Sequence, residues 1–118
     1  MRQTFNDLRI WQLAHKLTLF IYTQTKSFPS SEKFSLTDQI RRAAVSIAAN
    51  IAEGFGRHSK KEFINFLFIS LGSLEEVRYY LILAKDLAYL GQNTLTEGDE
   101  KITELKAKIL AFINSLNR

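Results

Sequence analysis

The sequence predicts an all-α protein, folded as an antiparallel up-down-up-down four-helix bundle. Apolar residues recur at helical steps of three and four in four separate segments. One proline and five glycines in 118 residues leave room for long helices. The segments are joined by short stretches, and short connections place consecutive helices side by side and antiparallel. We expect residues 1–118 to form a single domain, because a chain of this length can bury one core.

The first helix is predicted to run from about Asn6 or Asp7 to Lys26, with Asn6 as its N-cap. Pro29 and the two serines after it predict the end of this segment. The apolar face consists of Ile10, Leu13, Ala14, Leu17, Phe20 and Ile21.

The second helix is predicted from Ser35 or Thr37 to Glu53. Gly54 and Gly56 follow it, and glycines at this position suit a left-handed C-cap.

The third helix opens with Ser59-x-x-Glu62, which has the spacing of a capping box. It continues to Gly91 and is therefore predicted to be the longest of the four. Thr96 and Asp99 stand at the same spacing and predict the start of the fourth helix.

A polar stripe runs along the second helix, since Arg42, Ser46, Asn50 and Glu53 follow one another at steps of four, four and three. A buried polar group without a partner costs roughly 1–3 kcal/mol, so such a stripe must be bonded or face water. We interpret it as part of a structural polar network that fixes helix register, with Glu53 paired to Arg57 or Arg42. The expected members are Arg42, Ser46, Asn50, Glu53, Ser73 and Glu76.

A catalytic role for this cluster is the alternative, because paired carboxylates can carry acid–base chemistry. No nucleophile or histidine accompanies them in the sequence. A di-iron bundle would need Glu three residues before a histidine, and these positions are Gln12 and Phe55. We therefore expect no catalytic residue, no metal and no cofactor.

Charge is distributed unevenly along the chain, whose net charge is +4. Residues 1–61 carry ten Lys and Arg against four Asp and Glu, and residues 62–118 carry six against eight. Cations beside the start of a helix suit phosphate, although a solvated basic loop is the alternative. The candidate nucleic-acid contacts are Arg41, Arg57, His58, Lys60 and Lys61.

The N-terminal half of the third helix is apolar nearly all round, and a helix in a four-helix domain needs only one apolar stripe. The surplus indicates a subunit interface, the alternative being an unusually apolar core helix. The candidate interface residues are Ile64, Phe66, Phe68 and Ile69.

Four strings of the sequence, FPSSEKFSL, QIRRAA, SIAANIAEGFGR and FINFLFISLGSLEE, resemble the bacterial 23S rRNA intervening-sequence protein family, whose members are also called four-helix bundle proteins. This family is similar, more distantly, to the accessory variability protein of diversity-generating retroelements. That protein is a basic pentameric barrel which binds a reverse transcriptase and nucleic acid. The resemblance implies a ring-shaped homo-oligomer, with a pentamer expected, and RNA, DNA or a nucleic-acid enzyme such as a reverse transcriptase as partner.

These observations favour a non-enzymatic oligomeric scaffold that binds nucleic acid, or a nucleic-acid enzyme, through a basic surface. The alternative is a structural protein–protein interaction module without nucleic-acid contact. The N-terminal segment lacks the apolar region of a signal peptide, and no apolar run is long enough to span a bilayer. The sequence therefore predicts a cytoplasmic protein with no membrane contact.

Overall fold

The computed structural model describes residues 3–118 and consists of four long helices joined by short connections. The helices are α1 (Arg9–Thr25), α2 (Leu36–Phe55), α3 (Lys60–Asp86) and α4 (Gln92–Leu116). Each packs against its neighbours in chain order, and α4 returns to α1, which closes a bundle of 44 × 24 × 23 Å. No strand occurs within residues 3–118. The all-α four-helix prediction is confirmed, and α3 is the longest helix.

The core lies along the bundle axis and draws on all four helices, with Leu17, Ile47, Leu74 and Ile109 almost completely buried. Burial of each such side chain contributes about 1.5–3 kcal/mol relative to exposure. None of the helices described within residues 3–118 is long and apolar enough to cross a membrane.

The start of α1 differs from the prediction. Asn6 lies in a short 3₁₀ turn, Phe5–Asp7, whose N-cap is Thr4, and the Thr4 backbone N–H donates to the Asp7 carboxylate at 2.9 Å. The helix itself begins at Arg9 after Leu8, which is buried in the main core. Asn6 as N-cap was therefore wrong, because core packing of an apolar residue sets this boundary.

The end of α2 also differs, since the helix continues through Gly54 to Phe55. Gly56 has a right-handed φ of −79°, so no left-handed cap is formed there. A Cβ on Gly54 would lie 2.8 Å from side-chain atoms of both Phe63 and Phe66. Glycine serves here to let α3 approach α2 closely.

The predicted start of α3 is confirmed, because the Ser59 hydroxyl accepts the Glu62 backbone N–H at 3.1 Å. The helix stops at Asp86 and does not reach Gly91. Ala88, just beyond it, has a φ of 64°, a conformation that is uncommon for a residue with a side chain.

The fourth helix begins earlier than predicted, at Gln92, with Gly91 as its N-cap. Thr96 and Asp99 consequently lie inside α4 and cap nothing. Asp99 pairs with Arg78 of α3, so the carboxylate serves a contact between helices.

One hydrogen bond ties the connection after α1 to the connection after α3. The Tyr89 hydroxyl donates to one carboxylate oxygen of Glu32 at 2.7 Å, and the other oxygen accepts from the Ser35 hydroxyl at 2.6 Å. The bonds from Ser35 and then Tyr89 lower the pKa of Glu32, and the bond to Glu32 raises the pKa of Tyr89. Phe28 packs against the Tyr89 ring beside this bond.

Candidate functional surfaces

A polar seam joins α2 to α3 near the middle of both helices. The hydroxyl oxygens of Ser46 and Ser73 lie 2.9 Å apart, and Ser73 is buried. The Asn50 amide donates to the Ser46 hydroxyl at 2.9 Å and to the Ser46 carbonyl at 2.8 Å. Three of the six residues expected in the polar network therefore form one connected set.

Arg42 and Glu53 do not join this seam. Arg42 pairs with Asp38 one turn earlier at 2.9 Å, and Glu53 pairs with Arg57 one turn later at 2.5 Å. Arg57 was one of the two partners predicted for Glu53. Both pairs are local, because each joins residues four positions apart in the sequence.

Glu76 also lies outside the seam and accepts only a long hydrogen bond, 3.5 Å, from the Tyr80 hydroxyl. Burial raises the pKa of Tyr80, and the neighbouring Glu76 carboxylate raises it further. Of the six residues expected in the polar network, Ser46, Asn50 and Ser73 are joined by short hydrogen bonds. The other three, Arg42, Glu53 and Glu76, bond to residues outside this set.

The histidines and carboxylates do not form a metal-binding group within residues 3–118. His15 stacks on Trp11 with nearly parallel rings whose centres are 5.0 Å apart. Such stacking gives the imidazole a packing role at the surface of α1.

The basic turn between α2 and α3 consists of Arg57, His58, Lys60 and Lys61. The side chains of His58, Lys60 and Lys61 are exposed, and within residues 3–118 none of them forms an ion pair. Arg57 differs, because Glu53 pairs with it and the centre of the Phe66 ring lies 4.8 Å from its guanidinium. A shallow depression of about 330 Å³ lies beside the two lysines.

Arg41 lies apart from the other four candidate contacts. It precedes Arg57 by about four turns of α2, or roughly 24 Å at 1.5 Å per residue. Its Nε donates to the Thr25 hydroxyl at 2.8 Å, and its guanidinium lies 4.6 Å from the centre of the Tyr22 ring. The five candidate contacts thus occupy two separate surfaces, one at the turn and one between α1 and α2.

The apolar surplus of α3 is only partly exposed. Phe68 and Ile69 are 54% and 51% exposed, as an interface would require of the isolated chain. Ile64 and Phe66 are half-buried, because Ile64 packs on the core and Phe66 lies beneath Arg57.

The candidate interface residues did not include two exposed apolar residues further along α3. Tyr79 is 57% exposed and Ile82 is 43% exposed, on the same outer side as Phe68. The sequence carried a signal for both residues. Steps of four and three along a helix lead from Phe68 through Gly72 and Glu75 to Tyr79 and Ile82, so all five positions share one face. The Thr25 and Tyr22 contacts of Arg41 left no such signal, since they depend on how α1 packs against α2.

The family model for the 23S rRNA-intervening sequence protein matches residues 6–111. The chain belongs to this family. It is also similar to the crystal structure of a protein of unknown function from the S23 ribosomal protein family of Bacteroides thetaiotaomicron, with a TM-score of 0.81 and 27% sequence identity. The match covers 88% of this chain and 97% of the other. No curated protein matches this chain.

Family membership confirms the resemblance drawn from the central strings of the sequence. The similar structure has no assigned function, so it supports the bundle fold and brings no activity with it.

Proposed function

We propose that this protein is a non-enzymatic homo-oligomeric scaffold that binds RNA or DNA through the basic turn between α2 and α3. The observation that carries the proposal is the pair of exposed cations Lys60 and Lys61 beside the exposed imidazole of His58, and none of the three forms an ion pair within residues 3–118. A cation without a protein partner retains its full attraction for phosphate.

The position of the lysines strengthens that attraction. Lys60 and Lys61 are the first two residues of α3, where the helix dipole and the exposed backbone N–H groups are positive. Two lysines there are mildly unfavourable for the isolated helix, and a bound phosphate removes the conflict. Contacts to phosphate carry no base information, so binding is expected to tolerate any sequence.

One chain offers few such contacts, and affinity therefore depends on assembly. Several copies around a ring multiply the phosphate contacts without new chemistry. The exposed Phe68 and Ile69 side chains support self-association, and the family resemblance supplies the number five. The proposed form is a cytoplasmic homopentamer, which presents its basic turns to nucleic acid or to an enzyme that handles it, such as a reverse transcriptase.

A structural protein–protein interaction module is the second candidate. The exposed apolar side chains of α3 favour it, because large apolar side chains at a surface mark sites where proteins meet.

Fluorescence anisotropy with mixed-sequence RNA and DNA, from about 50 to 200 mM salt, tests the first candidate. Wild-type affinity should fall steeply with salt, by a factor set by the number of phosphates contacted. Lys60→Glu with Lys61→Glu should weaken binding and flatten the salt dependence, because two phosphate contacts per chain are lost.

Lys26→Glu with Lys108→Glu is the matched control, since it changes the net charge equally at exposed lysines near the end of α1 and in α4. This control should keep most of the affinity. Absence of wild-type binding at low salt, or equal loss in both double variants, would remove the assignment and leave the interaction module.

A further inference from the structure

Arg41 is held by groups that do not neutralise its charge. Its Nε donates to the hydroxyl of Thr25, which is 3% exposed, and a terminal nitrogen lies 3.5 Å from the Tyr22 carbonyl oxygen. The Tyr22 ring covers one face of the guanidinium. Within residues 3–118 Arg41 forms no ion pair. The half-buried guanidinium is thus fixed in place with its charge available.

A shallow depression on the outer face of α2, bordered by Tyr22 of α1, opens beside this guanidinium. Its volume is about 600 Å³, and its lining residues are Tyr22, Asp38, Arg41, Arg42, Val45 and Ser46. The apolar side chains that line it, Tyr22 and Val45, are 39% and 43% exposed. Asp38 and Arg42 neutralise each other in an ion pair, so Arg41 is the lining charge without a partner within residues 3–118. An unpaired positive charge beside exposed apolar side chains suits a carboxylate carried on an apolar protein surface.

The outer face of α3 has the opposite character. Phe68 and Ile69 precede a carboxylate, Glu76, and Tyr79 and Ile82 follow it, and all five residues are exposed. Glu76 forms no ion pair within residues 3–118, whereas its neighbour Glu75 binds Lys106 and Arg78.

Gly72 lies on this same face of α3. A Cβ added to it would meet nothing within 4 Å, so another backbone can approach α3 closely there. A helix face with such a low point can pack closely against a helix of another chain.

We propose that the depression beside Arg41 on α2 is covered by the outer face of α3 from a second copy of this chain, with Arg41 of one copy bound to Glu76 of the other. A carboxylate can accept two parallel hydrogen bonds from a guanidinium, which fixes orientation as well as charge. The two surfaces differ, so every copy offers one of each, and such a heterologous contact builds a ring when its rotation closes. The inference rests on the proposed self-association and names the surfaces that carry it.

Light scattering coupled to size exclusion at micromolar protein tests the contact through charge reversal. Arg41→Glu and Glu76→Arg should each shift the wild-type assembly to smaller species, with association weakened about tenfold or more, because like charges then meet. Combining the two reversals restores an opposite pair and should recover the assembly. Arg41→Gln removes the charge without reversing it and gives the same direction of change if Arg41→Glu does not fold.

Lys108→Glu is the charge-matched control and should keep the wild-type mass. If the wild type is an oligomer and the single reversals leave its mass unchanged, or the double variant stays dissociated, this contact is wrong while the assembly stands. If the wild type is a monomer, both this contact and the proposed self-association are wrong. Loss of nucleic-acid binding in Arg41→Glu at unchanged mass would assign Arg41 to nucleic acid.

Discussion

Arg41 and Arg57 lie close to the two ends of α2, and each guanidinium is stacked on an aromatic ring, at 4.6 Å from Tyr22 and 4.8 Å from Phe66. They differ in what surrounds the charge. Arg57 pairs with Glu53 one turn away, whereas Arg41 donates to a hydroxyl and a carbonyl of α1.

The difference separates two ways of placing an arginine. A nearby carboxylate of α2 neutralises Arg57, and solvent weakens the pair because both side chains are exposed. A cradle of neutral groups from a neighbouring helix fixes Arg41 and leaves its charge to attract an anion. Stacking on an aromatic ring therefore does not by itself tell whether an arginine is available for binding.

The largest effect is expected at the close contact beneath Arg57. Gly54→Ala places a Cβ 2.8 Å from side-chain atoms of Phe63 and Phe66, so α2 and α3 must separate. Overpacking of this kind should lower the free energy of unfolding by about 1–3 kcal/mol, measured by urea denaturation.

Gly72→Ala is its matched control, because nothing lies within 4 Å of the added Cβ. At protein concentrations where the chain is monomeric, helix propensity alone should then raise stability by about 0.5–1 kcal/mol. Equal effects of the two substitutions would show that α3 does not need Gly54 to approach α2.

The Arg41 cradle should give a smaller effect. Thr25→Val keeps the side-chain shape and removes the hydroxyl that accepts from Arg41 and donates to the Ile21 carbonyl. We expect a loss of about 1 kcal/mol in the free energy of unfolding, since the arginine can turn toward water. Thr23→Val, at an exposed position of α1, should change little. Equal stability of the two variants would mean that the cradle does not hold Arg41.

The smallest effect is expected at the ion pair of Arg57. Glu53→Gln removes the charge of an exposed pair and should cost about 0.2–1 kcal/mol at low salt, and less at high salt. Urea denaturation at two salt concentrations measures it. A loss that is larger and independent of salt would place Glu53 among the structural contacts of the bundle.

The parts of this molecule that could be predicted from sequence are those fixed within a few residues. The Ser59 cap and the Glu53–Arg57 pair follow from spacing along the chain. The beginning of α4 could not be predicted, because Asp99 bonds across to Arg78 and only resembles a cap. The role of Gly54 likewise depends on where Phe63 and Phe66 lie in space.

The candidate surfaces also divide into those fixed by local sequence and those fixed by helix packing. The exposed lysines of the basic turn could be predicted, since a run of charges between two helices remains at the surface. The hydrogen bonding and the unpaired charge of Arg41 could not be predicted, because its partners Thr25 and Tyr22 belong to another helix.

The Tyr89–Glu32 hydrogen bond has a kinetic consequence. Its two residues are 57 positions apart, and the bond forms only when the connections that follow α1 and α3 have met. Because closing so long a loop costs entropy, we expect this contact to form late in folding. A late contact governs how slowly the folded chain opens more than how fast it forms. The contribution of Glu32 is complete above its ordinary pKa of 4.5 and is lost as pH falls through the lower folded value, so acid should first hasten opening at this end of the bundle.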